Sequence, residues 1–74
     1  MKPLQTVKIV GRFGYLNSDP ALPFVLPSSE FGVTELAQSI QRAAMDYDIS
    51  TTWENCRFLA LGLMTQLISS SGVA

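Results

Sequence analysis

The chain has 74 residues, a net charge of −1, 47% hydrophobic residues and 15% charged residues, a composition that predicts one small folded domain and argues against general disorder. One cysteine and no histidine exclude a disulfide within the chain and leave no pattern of metal ligands. The apolar stretches are far shorter than the roughly 20 residues that cross a bilayer, and the first residues do not resemble a signal peptide. We therefore expect a cytoplasmic protein without a membrane segment.

Charge is distributed unevenly along the chain. Residues 1–16 carry three cations and no acid, which gives +3, whereas residues 17–74 carry six acids and two cations, which gives −4. The cations of the first part are Lys2, Lys8 and Arg12. This separation predicts a basic extended segment, residues 1–16, on an acidic helical body.

Residues 6–15 alternate between two sets of side chains, which is the pattern of a β-strand. One set is Val7, Ile9, Phe13 and Tyr15. The other set is Thr6, Lys8, Val10 and Arg12. We predict a strand from Thr6 to Val10 that extends through Tyr15, with Gly11 and Gly14 marking a bulge or a close backbone approach.

Two segments separate this strand from the first helix. Residues 17–20, NSDP, have the composition of a turn that ends the strand. Residues 23–27, PFVLP, are apolar and flanked by prolines, and proline cannot donate to a central ladder. We expect this segment either to pair as a short edge strand or to lie across the core.

Helical periodicity predicts two helices, over residues 33–47 and 51–68, followed by a frayed tail at residues 69–74. In the first helix, apolar residues recur with helical spacing at Val33, Leu36, Ala37, Ile40, Ala44 and Tyr47. The second is the main core helix, and its broad apolar face, about 200° wide, needs more than one partner surface. The predicted fold class is α+β: a short N-terminal strand or hairpin packed on two α-helices in a single domain, residues 1–74.

Further expectations come from the start of the second helix and from two of its residues that break the apolar pattern. Thr51 and Glu54 have the spacing of a capping box. Arg57 projects into the middle of the apolar face and is expected to extend its charge to solvent, near an acid such as Asp46 or Asp48. Phe58 projects to the polar side, and we expect the proline-flanked segment to cover it; if it does not, Phe58 becomes an interface anchor.

The chain carries no residue pattern that predicts catalysis, a cofactor or a metal. Cys56 is the one nucleophile of the right type, but it lacks a histidine partner and lies on the apolar face of a helix, so we interpret it as a core residue. Asp46, Asp48 and Glu54 lack the glycine and the terminal acid of a calcium-binding loop. We expect solvated acids there and a protein that is not an enzyme.

The basic segment is the candidate contact surface. Cations and aromatic residues alternate there, which also occurs in proteins that bind nucleic acid, but an isoelectric point of about 5.0 and five cations in all make nucleic acid the less favoured partner. An extended strand can instead pair with a protein through its backbone. We predict a protein-binding surface formed by Lys8, Val10, Arg12, Phe13 and Tyr15, and we expect deletion of residues 1–16 to abolish partner binding while leaving the helices intact.

In length, and in its leading segment MKPLQTVKIVGRFGYLN, the chain resembles small accessory proteins of bacteriophages. It is similar in layout to phage-encoded regulators that bind bacterial RNA polymerase. The resemblance implies docking on a polymerase subunit in the host cytoplasm and altered transcription. Two alternatives stay open: a small virion or assembly protein that forms a symmetric oligomer, and a weak nucleic-acid binder that uses Lys8 and Arg12. A homodimer of the chain also stays open.

Overall fold

A computed structural model describes residues 2–28 and 30–71, with the backbone alone described for residues 67–71. Strands β2 (Val7–Val10), β3 (Phe13–Leu16) and β4 (Leu22–Val25) form an antiparallel sheet in that order. Strand β1 (Lys2–Pro3) pairs in parallel with β5 (Ile49–Ser50). Both helices pack on one face of the larger sheet, which confirms the α+β fold. The helices are α1 (Val33–Asp46) and α2 (Trp53–Ser71), and the order along the chain is β1, β2, β3, β4, α1, β5 and α2.

The predicted extension of the first strand through Tyr15 is wrong, because the chain reverses at residues 11–12. Gly11 has a φ of 64° and Arg12 does not have a positive φ, which are the signs of a type II′ hairpin turn. Val10 therefore pairs with Phe13, and Lys8 pairs with Tyr15. Since paired residues of an antiparallel ladder share a face, Phe13 and Tyr15 lie on the side of Lys8 and Val10 and not on the side of Val7 and Ile9.

The proline-flanked segment pairs as an edge strand, β4, which was one of the two predicted alternatives. Phe24 on β4 lies opposite Gly14 on β3, and its ring occupies the space that a β-carbon on residue 14 would fill. Gly14 is therefore required by a close approach, as glycine inside a strand often is. Phe24 is buried and joins the core.

The core lies between the inner face of the sheet and the two helices. Its buried apolar side chains come from β3, β4, β5, both helices and the residue that follows β1: Leu4, Leu16, Phe24, Leu36, Ala37, Ile40, Ala43, Ala44, Ile49, Cys56, Ala60 and Leu63. Val7 and Ile9 pack against them and are half-buried. The basic segment thus contributes directly to the core and is not a separate arm.

Helix α1 begins at Val33 and ends at Asp46, close to the predicted bounds, with Tyr47 as its C-cap. Gly32 is the N-cap, and its N–H donates to the Glu35 Oε1 at 2.9 Å. Asp48 follows the helix with a φ of 60°, the left-handed conformation common just after a helix end. This turn directs the chain back into β5.

The predicted capping box at Thr51 and Glu54 is wrong. Helix α2 begins at Trp53, and the Asn55 N–H donates to the Thr52 Oγ1 at 3.1 Å, so Thr52 is the N-cap. Thr51 is held before the helix, where its Oγ1 accepts from the Asn55 Nδ2 at 3.1 Å. The helix continues through Ser71, past the predicted end at residue 68. The rest of the predicted frayed tail, residues 72–74, lies outside the described residues.

The parallel pairing of β1 with β5 has no counterpart in the sequence predictions. Lys2 pairs with Ile49 and Pro3 with Ser50, and the Leu4 N–H donates to the Ser50 carbonyl at 2.9 Å. The link between the helices thereby forms a short strand. It fixes residues 2–4 beside the start of α2 and places Leu4 in the core.

Candidate functional site

One face of the three-stranded sheet is covered by the helices, and the other faces solvent. We call the second the outer sheet face, and it consists of two cross-strand rows. The first row joins Val10, Phe13 and Val25, and the second joins Lys8, Tyr15 and Pro23. Alternation along each strand places the remaining strand residues on the inner face.

The first row is apolar and exposed. Relative exposure is 58% at Val10, 50% at Phe13 and 75% at Val25. A solvated face of an antiparallel sheet ordinarily carries polar side chains, and adjacent exposed apolar residues of this kind mark sites of interaction. The hairpin turn and the β4 register create the row, because the turn aligns its flanking residues Val10 and Phe13, and the β4 pairing adds Val25 from a later strand.

Positive charge adjoins this row. Lys8 is exposed in the second row, beside half-buried Tyr15. Arg12 lies in the hairpin turn next to the segment Leu26–Ser28, with which it lines a shallow groove. The outer sheet face carries no acidic residue, so its field favours partners with negative charge.

Four of the five predicted surface residues therefore meet on one face. Lys8, Val10, Phe13 and Tyr15 lie together, and Arg12 adjoins them at the turn. The prediction did not include Val25, although alternation within residues 23–27 is a signal that could have placed Val25 and Pro23 on the side opposite Phe24. What that segment could not reveal is that it pairs with β3.

A second exposed apolar group lies on α2. The expectation that the proline-flanked segment covers Phe58 is wrong, because the side chain is 74% exposed, and Leu61 one turn later is 56% exposed. Arg57 is exposed as well and lines a groove with Glu54 and Val33, whereas Asp46 lines a different groove between α1 and β4. Within residues 53–66, where side-chain burial is described, the buried positions of α2 recur at every third or fourth residue, at Cys56, Ala60 and Leu63. Leu59 and Met64 pack beside them and are half-buried.

Cys56 is fully buried in the core. Burial raises the pKa of its thiol, and the hydrogen-bonding contact with the Thr51 hydroxyl, 3.8 Å from the sulfur, partly offsets that rise. A thiol with a raised pKa and no solvent access is a poor nucleophile. Its position supports the interpretation of Cys56 as a packing residue.

Two further properties concern the described part of the chain alone. In residues 2–28 and 30–66, no three carboxylate or thiol side chains converge in a way that would hold a metal ion. Among the described helices, neither has the length and apolar character needed to cross a bilayer.

Comparison with known proteins yields no relative: no protein-family model, no curated protein and no solved structure matches the chain. Inference about function therefore rests on the outer sheet face itself.

Proposed function

We propose that the chain is a non-enzymatic protein-binding module that docks on its partner through the outer sheet face. The observation that carries the proposal is the exposed row Val10, Phe13 and Val25 across three paired strands. An apolar centre with a polar or charged rim is the usual construction of a protein interface, and here Lys8 and Arg12 supply the rim.

Rigidity favours this face as an interface. The row belongs to hydrogen-bonded strands whose other face is packed on two helices, so little conformational entropy is lost when a partner binds. Phe13 occupies the centre of the row, between Val10 and Val25. A central aromatic residue is the usual position of a binding hot spot.

Two exposed phenylalanines provide a matched test. Phe13→Ser removes the centre of the outer sheet face, where Phe13 is 50% exposed, whereas Phe58→Ser removes an even more exposed ring, at 74%, from α2. Tagged variants would capture partners from bacterial lysate, with mass spectrometry to identify them and biolayer interferometry to measure affinity. We expect Phe13→Ser to weaken binding about tenfold or more and Phe58→Ser to leave it unchanged. Equal loss in both variants, or loss in Phe58→Ser alone, contradicts the proposed surface.

Bacterial RNA polymerase is the specific partner that we propose. Its support is the likeness in length and layout to phage-encoded regulators of that enzyme, together with a basic, apolar surface suited to a subunit with negative charge. The test is direct binding of purified polymerase to the immobilised chain, followed by promoter-dependent transcription in its presence. Absence of binding at micromolar concentration removes the polymerase from consideration and leaves the protein-binding proposal in place. The same likeness places the proposed action in the cytoplasm of a host cell.

Nucleic acid is a second candidate, because the structure places two aromatic side chains, Phe13 and Tyr15, on the same face as Lys8. Bases stack on aromatic residues of sheet surfaces in single-strand binders. The whole-chain charge of −1 weighs against it. Fluorescence anisotropy with single-stranded oligonucleotides decides the matter: phosphate contacts require binding that weakens steeply with salt, and no binding at low ionic strength removes this candidate.

Self-assembly is a third candidate, favoured by the exposed pair Phe58 and Leu61 on α2. Sedimentation velocity over a wide concentration range tests it. A monomer at every concentration rejects the assembly role, whereas a closed oligomer that Phe58→Ser dissociates supports it.

A further inference from the structure

The free edge of β2 presents backbone groups that its sheet does not use. The Asn17 N–H donates to the Thr6 carbonyl at 2.7 Å, so Thr6, and with it Lys8 and Val10, directs its backbone groups toward β3. By the same alternation, Val7 and Ile9 direct their N–H and C=O groups away from the sheet. Within the described residues, none of the backbone hydrogen bonds outside the regular elements reaches either residue.

The opposite edge of the sheet is closed. Gly14 on β3 directs its groups to Phe24 on β4, so Pro23 faces outward. Pro23 has no N–H, and its carbonyl accepts a hydrogen bond from the Tyr47 hydroxyl at 2.6 Å. Prolines on the outward side of an edge strand prevent pairing with a further strand. A further strand that joins the three-stranded sheet is therefore expected at the edge of β2 and not at the edge of β4.

A second copy of the chain is a poor occupant of this edge. Antiparallel pairing of two β2 strands satisfies all the outward groups when Val7 of one strand faces Ile9 of the other. That register places Lys8 directly opposite Lys8 of the second copy. Like charges at directly opposed positions destabilise a ladder, and a lysine in an edge strand is a common device against self-pairing.

We propose that an extended acidic segment of a partner protein adds to β2 as a fourth strand, with hydrogen bonds to Val7 and Ile9 and a carboxylate beside Lys8. The inference rests on the proposed protein-binding function and specifies how the partner is held. Charge complementarity selects the occupant, because Lys8 lies at the centre of the edge and residues 1–16 contain no acid. Backbone pairing supplies affinity in this mode, and the alternating side chains supply specificity.

The probes are two short capped peptides, one alternating valine with glutamate and one alternating valine with lysine. Titration of the isotopically labelled protein, followed by NMR, is expected to shift the Val7 and Ile9 amides and to slow their hydrogen exchange with the glutamate peptide. We expect the glutamate peptide to bind at least about fivefold more tightly than the lysine peptide. Lys8→Glu should reverse that preference, and Lys2→Glu, at an exposed position on β1, should preserve it.

The backbone contribution needs a change that leaves the side chain in place, since Ile9 packs against the core. N-methylation of Ile9, in a chain assembled from synthetic segments joined at Cys56, removes one outward N–H. N-methylation of Val25, an outward residue of the closed edge, is the matched control. We expect the first to abolish binding of the glutamate peptide and the second to preserve it, with circular dichroism verifying that both fold.

Three results overturn the inference: no binding of the glutamate peptide, equal binding of both peptides, or unchanged binding after N-methylation of Ile9. A dimer in sedimentation that N-methylation of Ile9 dissociates also overturns it, because a second copy then occupies the edge. If partner capture still depends on Phe13 in any of these cases, the proposed function stands without strand addition. If capture is independent of Phe13, the proposed function fails separately.

Discussion

Within residues 2–28 and 30–71, two non-glycine residues adopt left-handed backbone conformations, and their side chains have different roles. Asn17 has a φ of 61° and Asp48 has a φ of 60°. The Asn17 side chain binds the N-terminal segment, since its Oδ1 accepts from the Gln5 N–H at 2.8 Å and its Nδ2 donates to the Pro3 carbonyl at 3.2 Å. At Asp48 the hydrogen bond comes from the backbone, with the N–H donating to the Met45 carbonyl at 3.2 Å.

Glycine substitution at these two positions should therefore have opposite effects. Asn17→Gly keeps the backbone conformation but loses the side-chain hydrogen bonds, and we expect it to lower the free energy of unfolding by about 1 kcal/mol. Asp48→Gly removes a strained side chain and a charge that opposes the helix dipole, and should raise it by about 0.5–1 kcal/mol. Urea denaturation measures both. Asp48→Asn separates the effect of charge from that of the backbone. If Asn17→Gly stabilised the chain, the Asn17 side chain would not be holding the N-terminal segment through its hydrogen bonds.

The buried thiol of Cys56 predicts a pH dependence of stability. Burial raises its pKa above the ordinary value of 9.0, so the folded chain holds the proton more tightly than the unfolded chain. The stabilising contribution is complete below that ordinary value and is lost as the pH rises toward the folded-state pKa. We expect the difference in unfolding free energy between the natural chain and Cys56→Ala to shrink above about pH 9. A difference that is constant across this range would show that the thiol is not desolvated.

At the scale of elements, the N-cap of α2 lies one residue after the predicted one, because two adjacent threonines compete for the cap. Thr51 fits the local capping pattern, but the segment before it is drawn into β5, where the Ser50 carbonyl accepts from the Leu4 N–H. The helix can then begin only after Thr52. A capping rule that considers neighbouring residues alone has no access to this constraint.

The cap assignment can be tested by mutation. Thr52→Ala leaves the Asn55 N–H without its side-chain acceptor, and we expect a loss of about 1 kcal/mol in the free energy of unfolding. Glu54→Gln should change stability by less than about 0.5 kcal/mol, because the glutamate interacts with the helix dipole and not with a capping box. Thermal unfolding followed by circular dichroism compares the two. A larger loss of stability in Glu54→Gln than in Thr52→Ala would support the predicted capping box of Thr51 and Glu54.

At the scale of the whole molecule, the basic segment contributes residues both to the core and to the exposed surface. Leu4 and Leu16 are buried, while Lys8 and Val10 are exposed on the outer sheet face. Separation of charge along the chain suggested an arm that could be removed. The structure shows instead that the same strands carry core residues on one face and candidate contacts on the other.

Deletion of residues 1–16 is consequently expected to unfold the whole chain, in contrast to the expectation from sequence. The deletion removes β1, β2 and β3 and exposes the faces of both helices that pack on them. We expect loss of the cooperative transition and of most of the helical circular dichroism signal. A stable helical remainder would show that the helices fold independently.

A pair of point substitutions separates core from surface without that disruption. Leu16→Ala should cost about 2–4 kcal/mol, because it leaves a cavity in the core. Val25→Ala, on the outer sheet face, should change stability by less than about 0.5 kcal/mol. Denaturant midpoints report both, and a large cost at Val25 would mean that its side chain is covered.

The sequence by itself determined the features that depend on neighbouring residues. Helical spacing placed α1 and α2 within a few residues, alternation identified the strand character of residues 6–15, and composition argued against a disulfide within the chain. Four of the five proposed contact residues also share one face. The prediction assigned Phe13 and Tyr15 to the side of Val7, however, because it treated the segment as one continuous strand.

Only the tertiary structure decided where the chain reverses and what covers each face. The turn at Gly11 moves Phe13 to the side of Val10, the pairing of β4 adds Val25 to the same row, and the parallel pairing of β1 with β5 determines the start of α2. The two pairings arise from contacts between residues distant in sequence. The turn is local, but periodicity does not detect a chain reversal, because it records only the local preference for burial. The same limit explains Phe58, whose exposure depends on where a separate segment packs.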